Sequence, residues 1–219
     1  GGTEAERLHK LSQYILKRKN LHVATLHHKS EYGPYVRQVF ELINAAYAPL
    51  YGVVELSDAQ IERYAKKFIP LVDPEFVCFV LDEQENLVAF GVTTLDPSVA
   101  LKHSDGRLFP FGWAGVLNDL HHSDTLIMLL TAVRPDLQTE GINAVMMDHV
   151  CQSCNRHGVR FAETGPMLEL NDHILAQWKR LEKEQHKRRR CFIKDLDHDV
   201  NAANAAAAQT ETPETESAE

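Results

Sequence analysis

Hydrophobic positions along this chain recur in two rhythms. Between residues 4 and 19, Leu8, Leu11 and Ile15 return at three- and four-residue spacing among charged neighbours, which predicts a helix. Residues 21–27 alternate, with Leu21, Val23, Thr25 and His27 on one side, and predict a first strand. Val36, Val39, Phe40, Ile43 and Tyr47 then share one face of a helix expected over 35–47. Ser57 and Gln60 have capping-box spacing ahead of Ile61, Tyr64, Ala65, Phe68 and Ile69, so a further helix starts there. The run 76–81 (FVCFVL) reads as a buried strand, 82–86 as a turn and 87–94 as its hairpin partner.

The second half follows the same logic. Residues 102–124 hold the loop-like cluster FPFGW and a short helix expected over 114–120; the cluster is either a packed loop or a pocket wall. The continuous apolar run 126–133 (LIMLLTAV) predicts a central strand buried on both faces, ended by Arg134 and Pro135. A polar loop over 136–141 leads into a helix over 142–157, with Ala144, Val145, Met146, Val150 and Cys151 as inward candidates. A strand over 159–164 and a helix over 171–184 follow, the latter with Ile174, Leu175, Trp178 and Leu181 on one face. Basic residues crowd 186–190, and alternation returns only through Cys191 and Ile193.

Composition narrows the class. The chain has 219 residues, 44% hydrophobic and 25% charged, enough for one core-forming domain. A net charge of -8 argues against non-specific nucleic-acid binding, which needs a basic excess. The sequence contains no apolar run of membrane-spanning length, so no membrane partner is expected. Four cysteines are too few for a disulfide scaffold and predict a reducing, cytoplasmic setting. Cys151 and Cys154 form a CxxC without a second pair, and no HExxH occurs among the 12 histidines, so no metal site is expected. Residues 197–219 end without aromatic, Val, Ile or Leu side chains after Val200 and predict a disordered acidic tail.

Chemistry concentrates at 133–144. A buried strand feeding a polar loop and then a helix can hold an anion. The first N–H groups of a helix lack internal partners, and the helix dipole adds about half a positive charge there. Gly141 lets the backbone approach closely. The segment lacks the Gly-Lys-Ser/Thr of a Walker loop, and its single glycine does not make a dinucleotide fingerprint.

Val133, Pro135, Gln138 and Gly141 fall in register on V-x-P-x-x-(Q/R)-x-x-G-x-(G/A). This resembles the pyrophosphate motif of the GNAT superfamily of acyl-CoA-dependent N-acetyltransferases. The order of elements from 21 to 196, closing on a terminal strand, is similar to that family's. The stretches 106–113 (GRLFPFGW) and 169–196 resemble an uncharacterised bacterial GNAT-like family in which this region is commonly the C-terminal half of a double protein. The resemblance implies an α/β (α+β) fold, a GNAT-type mixed twisted sheet flanked by helices, over 21–196. Residues 1–20 would then link to an N-terminal GNAT-like half.

The resemblance also implies roles. Backbone groups of Ala132 and Val133 would pair with the pantetheine arm of acetyl-CoA or another acyl-CoA. The N–H groups of Gln138, Thr139, Gly141, Ile142 and Asn143 would cradle its pyrophosphate. Asn171 matches an Asn that contacts the cofactor arm. Trp178 stands where many members carry a Tyr that protonates the departing thiolate, and an indole N–H is not a practical general acid. Glu140 places a carboxylate in a loop where neutral or basic residues are usual. The candidate base is Glu163, with Glu169 second; Tyr51 and Tyr47 are candidates to position the amine or act as acid. The expected reaction is direct acyl transfer to a small-molecule or peptide amine. A catalytically degenerate ligand-binding or interaction module is the alternative.

Overall fold

The computed structural model describes residues 3–69, 72–103, 105, 113, 115, 118, 122–169, 171–178 and 181–192. The expectations for FPFGW, for most of the 114–120 helix, for the end of the terminal strand and for the acidic tail lie outside the described residues. The chain divides into two compact units, Gly1–Gly165 and Pro166–Glu219.

The first unit is built on one five-stranded sheet in sequential order β1-β2-β3-β4-β5. Its strands are β1 (His22–Val23), β2 (Val77–Leu81), β3 (Leu87–Leu95), β4 (Thr125–Val133) and β5 (Phe161–Thr164). The first four run antiparallel to their neighbours, and β5 runs parallel to β4. Among the described residues this unit contains helices α1 (Glu4–Lys19), α2 (Gly33–Tyr47), α3 (Asp58–Phe68), α4 (Ser98–His103) and α5 (Ile142–His157).

Alternation along the strands sorts the core into two layers. Cys78 and Val80 face a cluster completed by Ile15 of α1 and by Ile142, Val145 and Met146 of α5. Val77, Phe79 and Leu81 face the other way, onto Leu42 and Ile43 of α2, with Phe90 and Ala132. Phe90, Val80 and Val88 are fully buried. At about 25 cal/mol per Å² of apolar surface, such residues dominate the stability of the unit.

Local signals set the element ends. Thr3 caps α1: the Glu6 N–H donates to Thr3 Oγ1 at 3.3 Å and the Thr3 N–H to Glu6 Oε2 at 3.0 Å. Gln60 Oε1 accepts from the Ser57 N–H at 2.9 Å, where α3 begins. Asp82 closes the β2–β3 hairpin by accepting from the N–H groups of Gln84 and Asn86. α1 buries Ser12 and Ile15 and is an integral helix of the packed unit.

Three elements differ from expectation. The first strand covers only His22 and Val23, because the Glu31 carboxylate draws in the His27 and His28 N–H groups and turns the chain into a short 3-10 helix, Lys29–Tyr32. β4 is not buried throughout: Leu129 and Leu130 are 47% and 43% exposed. In the second unit the helix expected over 171–184 is one short segment, α6 (Asp172–Gln177), and 181–192 carry neither helix nor strand among the described residues. Consecutive like charges at 187–190 repel and leave no alternate apolar face to bury, so that stretch is exposed.

Candidate active site

The site is made by two strands that part. Parallel pairing of β4 with β5 runs from Thr125↔Phe161 to Met128↔Thr164 and stops, while β4 continues to Val133. On its other edge β4 stays paired to β3 as far as Val133↔Ala89. Leu129 is an extra residue in that ladder, a bulge between Leu130↔Val92 and Met128↔Thr93. Beyond Met128, that edge of β4 has no strand partner among the described residues.

Hydrogen-bond alternation says which groups face that opening. The Arg134 N–H donates to Val88 O at 2.8 Å, so in an antiparallel ladder Ala132 and Leu130 also face β3, and Thr131 and Val133 face away. Two side-chain contacts agree. The Tyr47 hydroxyl donates to Thr131 O at 2.7 Å, and Gln138 Nε2 donates to Val133 O at 3.3 Å. The N–H groups of Thr131 and Val133 point the same way as those carbonyls. Thr131 thus shares with Val133 the place that the sequence reasoning gave to Ala132, whose backbone groups are turned to β3. Residue spacing alone carries no strand register, so only the alternation finds Thr131.

The turn beyond β4 is preorganised. Arg134 grips Asp136 through two bonds, Nε to Oδ1 at 2.7 Å and Nη2 to Oδ2 at 3.0 Å. A 3-10 turn follows (Pro135–Leu137), and Gly141 begins α5 at φ 80, ψ 10 with no side-chain cap on the helix. That left-handed conformation suits glycine, and a Cβ there would lie 3.2 Å from Ile15 Cδ1. Uncapped first-turn N–H groups of a 16-residue helix beside an open strand edge fit an extended ligand with an anionic end.

Glu140 is not a bare negative charge in this turn. Lys19, in the last turn of α1, places Nζ 2.6 Å from Glu140 Oε2. That hydrogen bond, with the charges of Lys19 and Arg18, holds the Glu140 carboxyl below the usual range.

The other candidates separate. Glu163 lies one residue before the end of β5, opposite Ile127, beside the point where the strands part. Tyr51 is 76% exposed past the end of α2, whereas Tyr47 is mostly buried, its phenol pKa pushed up by that burial and its hydroxyl on the open edge. In the second unit Asn171 caps α6, its Oδ1 accepting from the Ile174 N–H at 3.3 Å. Trp178 ends α6, and its indole N–H is buried without a hydrogen-bond partner among the described residues. Glu169 is exposed and pairs with Arg188 at 2.9 Å. Among the described residues no cluster of His, Cys, Asp and Glu could hold a metal ion, and no helix is long and apolar enough to cross a membrane.

Comparison with solved structures defines the fold. An aminoglycoside acetyltransferase from an uncultured soil metagenomic sample superposes with a TM-score of 0.52 at 14% identity, over 82% of this chain and 99% of that one. A ribosomal-protein alanine N-acetyltransferase from Escherichia coli gives 0.49 at 14% identity, over 81% and 86%. The chain has the mixed five-stranded α/β fold of the GNAT acetyltransferases. In sequence it is 31% identical over 90 residues to a bacterial ceramide synthase of Caulobacter vibrioides, a match over 40% of this chain that spans 23% of that protein's length. No protein-family model matches the sequence.

Proposed function

We propose that this chain is an acyl-CoA-dependent N-acyltransferase domain. The observation that carries the reading is the β4 edge at Thr131 and Val133, unpaired by any strand among the described residues and running directly into the uncapped, glycine-opened start of α5. Coenzyme A, when bound, supplies the acyl group as an activated thioester. In this reading the edge groups of Thr131 and Val133 align its arm, and the N–H groups of Gln138, Thr139, Gly141, Ile142 and Asn143 hold its diphosphate. Tyr47 is a positioning residue that fixes the edge by its bond to Thr131 O.

Glu163 takes the proton the amine loses as its nitrogen attacks the thioester carbonyl. Transfer would form the C–N bond as the C–S bond breaks, and the proton taken by Glu163 would pass on to the departing sulfur, so that the thiol and the free carboxylate are restored together. Tyr51 stays on the acceptor side as a contact for the amine, in keeping with its exposure. The similarity to a ceramide synthase supports a long-chain amino alcohol as the acceptor class.

Titration of acetyl-CoA against melting temperature tests cofactor binding, since a ligand of the folded state alone must raise the midpoint. Thiol release is then followed with long-chain amino alcohols, polyamines and aminoglycosides. No thermal shift at millimolar acetyl-CoA would refute the proposal. A shift without thiol release on any amine would leave a binding module, the reading that Trp178 favours by occupying the usual acid's position.

A further inference from the structure

The charge arrangement around Glu140 goes beyond the shared fold, because its cation comes from a helix that precedes the first strand. α1 ends in Lys17, Arg18 and Lys19, and Asn20 closes it in the left-handed conformation at φ 51, ψ 47. Ile15, one turn earlier, is buried in the core shared with α5, and its Cδ1 sits against Gly141. The last turn of α1 is thereby fixed beside the turn that opens α5, and Lys19 Nζ is fixed 2.6 Å from Glu140.

Positive charge from Lys19, Arg18 and the helix start converges there against one carboxylate. A half-exposed ion pair of this kind adds little to folding. Its side chains are 27% and 38% exposed, so water and an incoming anion can reach both. A diphosphate in the turn would meet Glu140 as a like charge and Lys19 as an opposite one.

We propose that Lys19 is a diphosphate-binding residue supplied by α1, and that Glu140 is its resident counter-ion, which the diphosphate of coenzyme A displaces. The inference rests on the acyl-CoA reading above and deepens it. It makes α1 part of the site. It also explains how a loop carrying a carboxylate can still accept a dianion: the carboxylate keeps the ammonium in place until the ligand takes it over. Specificity follows, because donors lacking the diphosphate gain nothing from Lys19.

The test uses the full chain as wild type, K19M, K19R and E140Q, with coenzyme A and inorganic pyrophosphate as calorimetric probes. The expected K19M result is about tenfold weaker coenzyme A binding, the fold-change of one charge-assisted hydrogen bond, with a flatter salt dependence. K19R restores most of the affinity. E140Q tightens binding by about threefold, because a screened like charge is removed. Pyrophosphate follows the same order, and the ligand-free melting temperatures stay together.

If wild type binds coenzyme A and K19M binds it equally well, the Lys19 assignment is overturned while the acyl-CoA reading stands. If wild type binds neither coenzyme A nor pyrophosphate, both fall. If E140Q weakens binding, Glu140 is a ligand-side contact and not a counter-ion, and the displacement scheme is wrong.

Discussion

Two apolar runs of similar appearance meet opposite fates in this sheet. FVCFVL becomes β2, sealed at every position, with α2 covering one face and α1 and α5 the other. LIMLLTAV becomes β4 and is exposed at its middle, at Leu129 and Leu130, while Ala132 and Val133 are buried. The side chains do not explain the difference, since β4 is as apolar as β2. Cover from neighbouring elements does. β3 pairs with β2 from Val77 to Leu81 and helices pack on both faces of β2, whereas β5 ends opposite Met128 and leaves five residues of β4 without a second strand partner among the described residues.

The contrast can be broken by mutation. Phe79→Ala, at the centre of the sealed strand, should lower unfolding free energy by about 4 kcal/mol, through lost transfer energy and the cavity left behind. Leu129→Ala on the open half should cost less than about 1 kcal/mol. Urea denaturation of both variants checks the pair, and equal losses would mean that the open edge is covered in solution.

Alkaline pH probes the sealed half next. Burial pushes the Cys78 thiol up to about 12, above its ordinary 9.0. A raised folded pKa keeps its stabilisation below pH 9, and that stabilisation is lost as the pH climbs through the folded value. Each pH unit in that window should remove up to about 1.4 kcal/mol. Cys78→Val should flatten the slope of stability against pH between 9 and 12, and an unchanged slope would show that the thiol is reached by solvent.

Smaller effects sharpen the open half. Gly141→Ala puts a side chain into a left-handed position and within 3.2 Å of Ile15, for a cost of about 1–2 kcal/mol. The melting-point response to acetyl-CoA should vanish in this variant although the chain still folds. Tyr47→Phe removes one hydrogen bond to Thr131 O, worth about 1 kcal/mol. Amide exchange should then speed up in upper β4 and stay unchanged in β2.

Much of this architecture is legible in residue order. The helix over 142–157 is the observed α5, because its apolar spacing and a closing Gly158 are local signals. The hairpin is legible in Asp82 and Asn86, whose short polar side chains bond their own turn. The motif from Val133 to Gly141 marks the end of β4, the turn and the start of α5 by residue type alone. By contrast, periodicity overextends the helix after Asn171, because Leu181 keeps the rhythm in a segment where the backbone has left it.

What sequence by itself determines here is chemistry available within a few residues: caps, turns, a glycine where the backbone turns left-handed, the order of strands and helices. These follow from bonds and sterics that act over one or two turns of chain. Tertiary structure alone decides that β5 stops at Thr164 and that Thr131 faces the opening. It also brings Tyr47 across to β4, and Lys19 to Glu140 from the far end of the domain. Those choices depend on where separate elements end when packed together, and no local interaction encodes the distance between them.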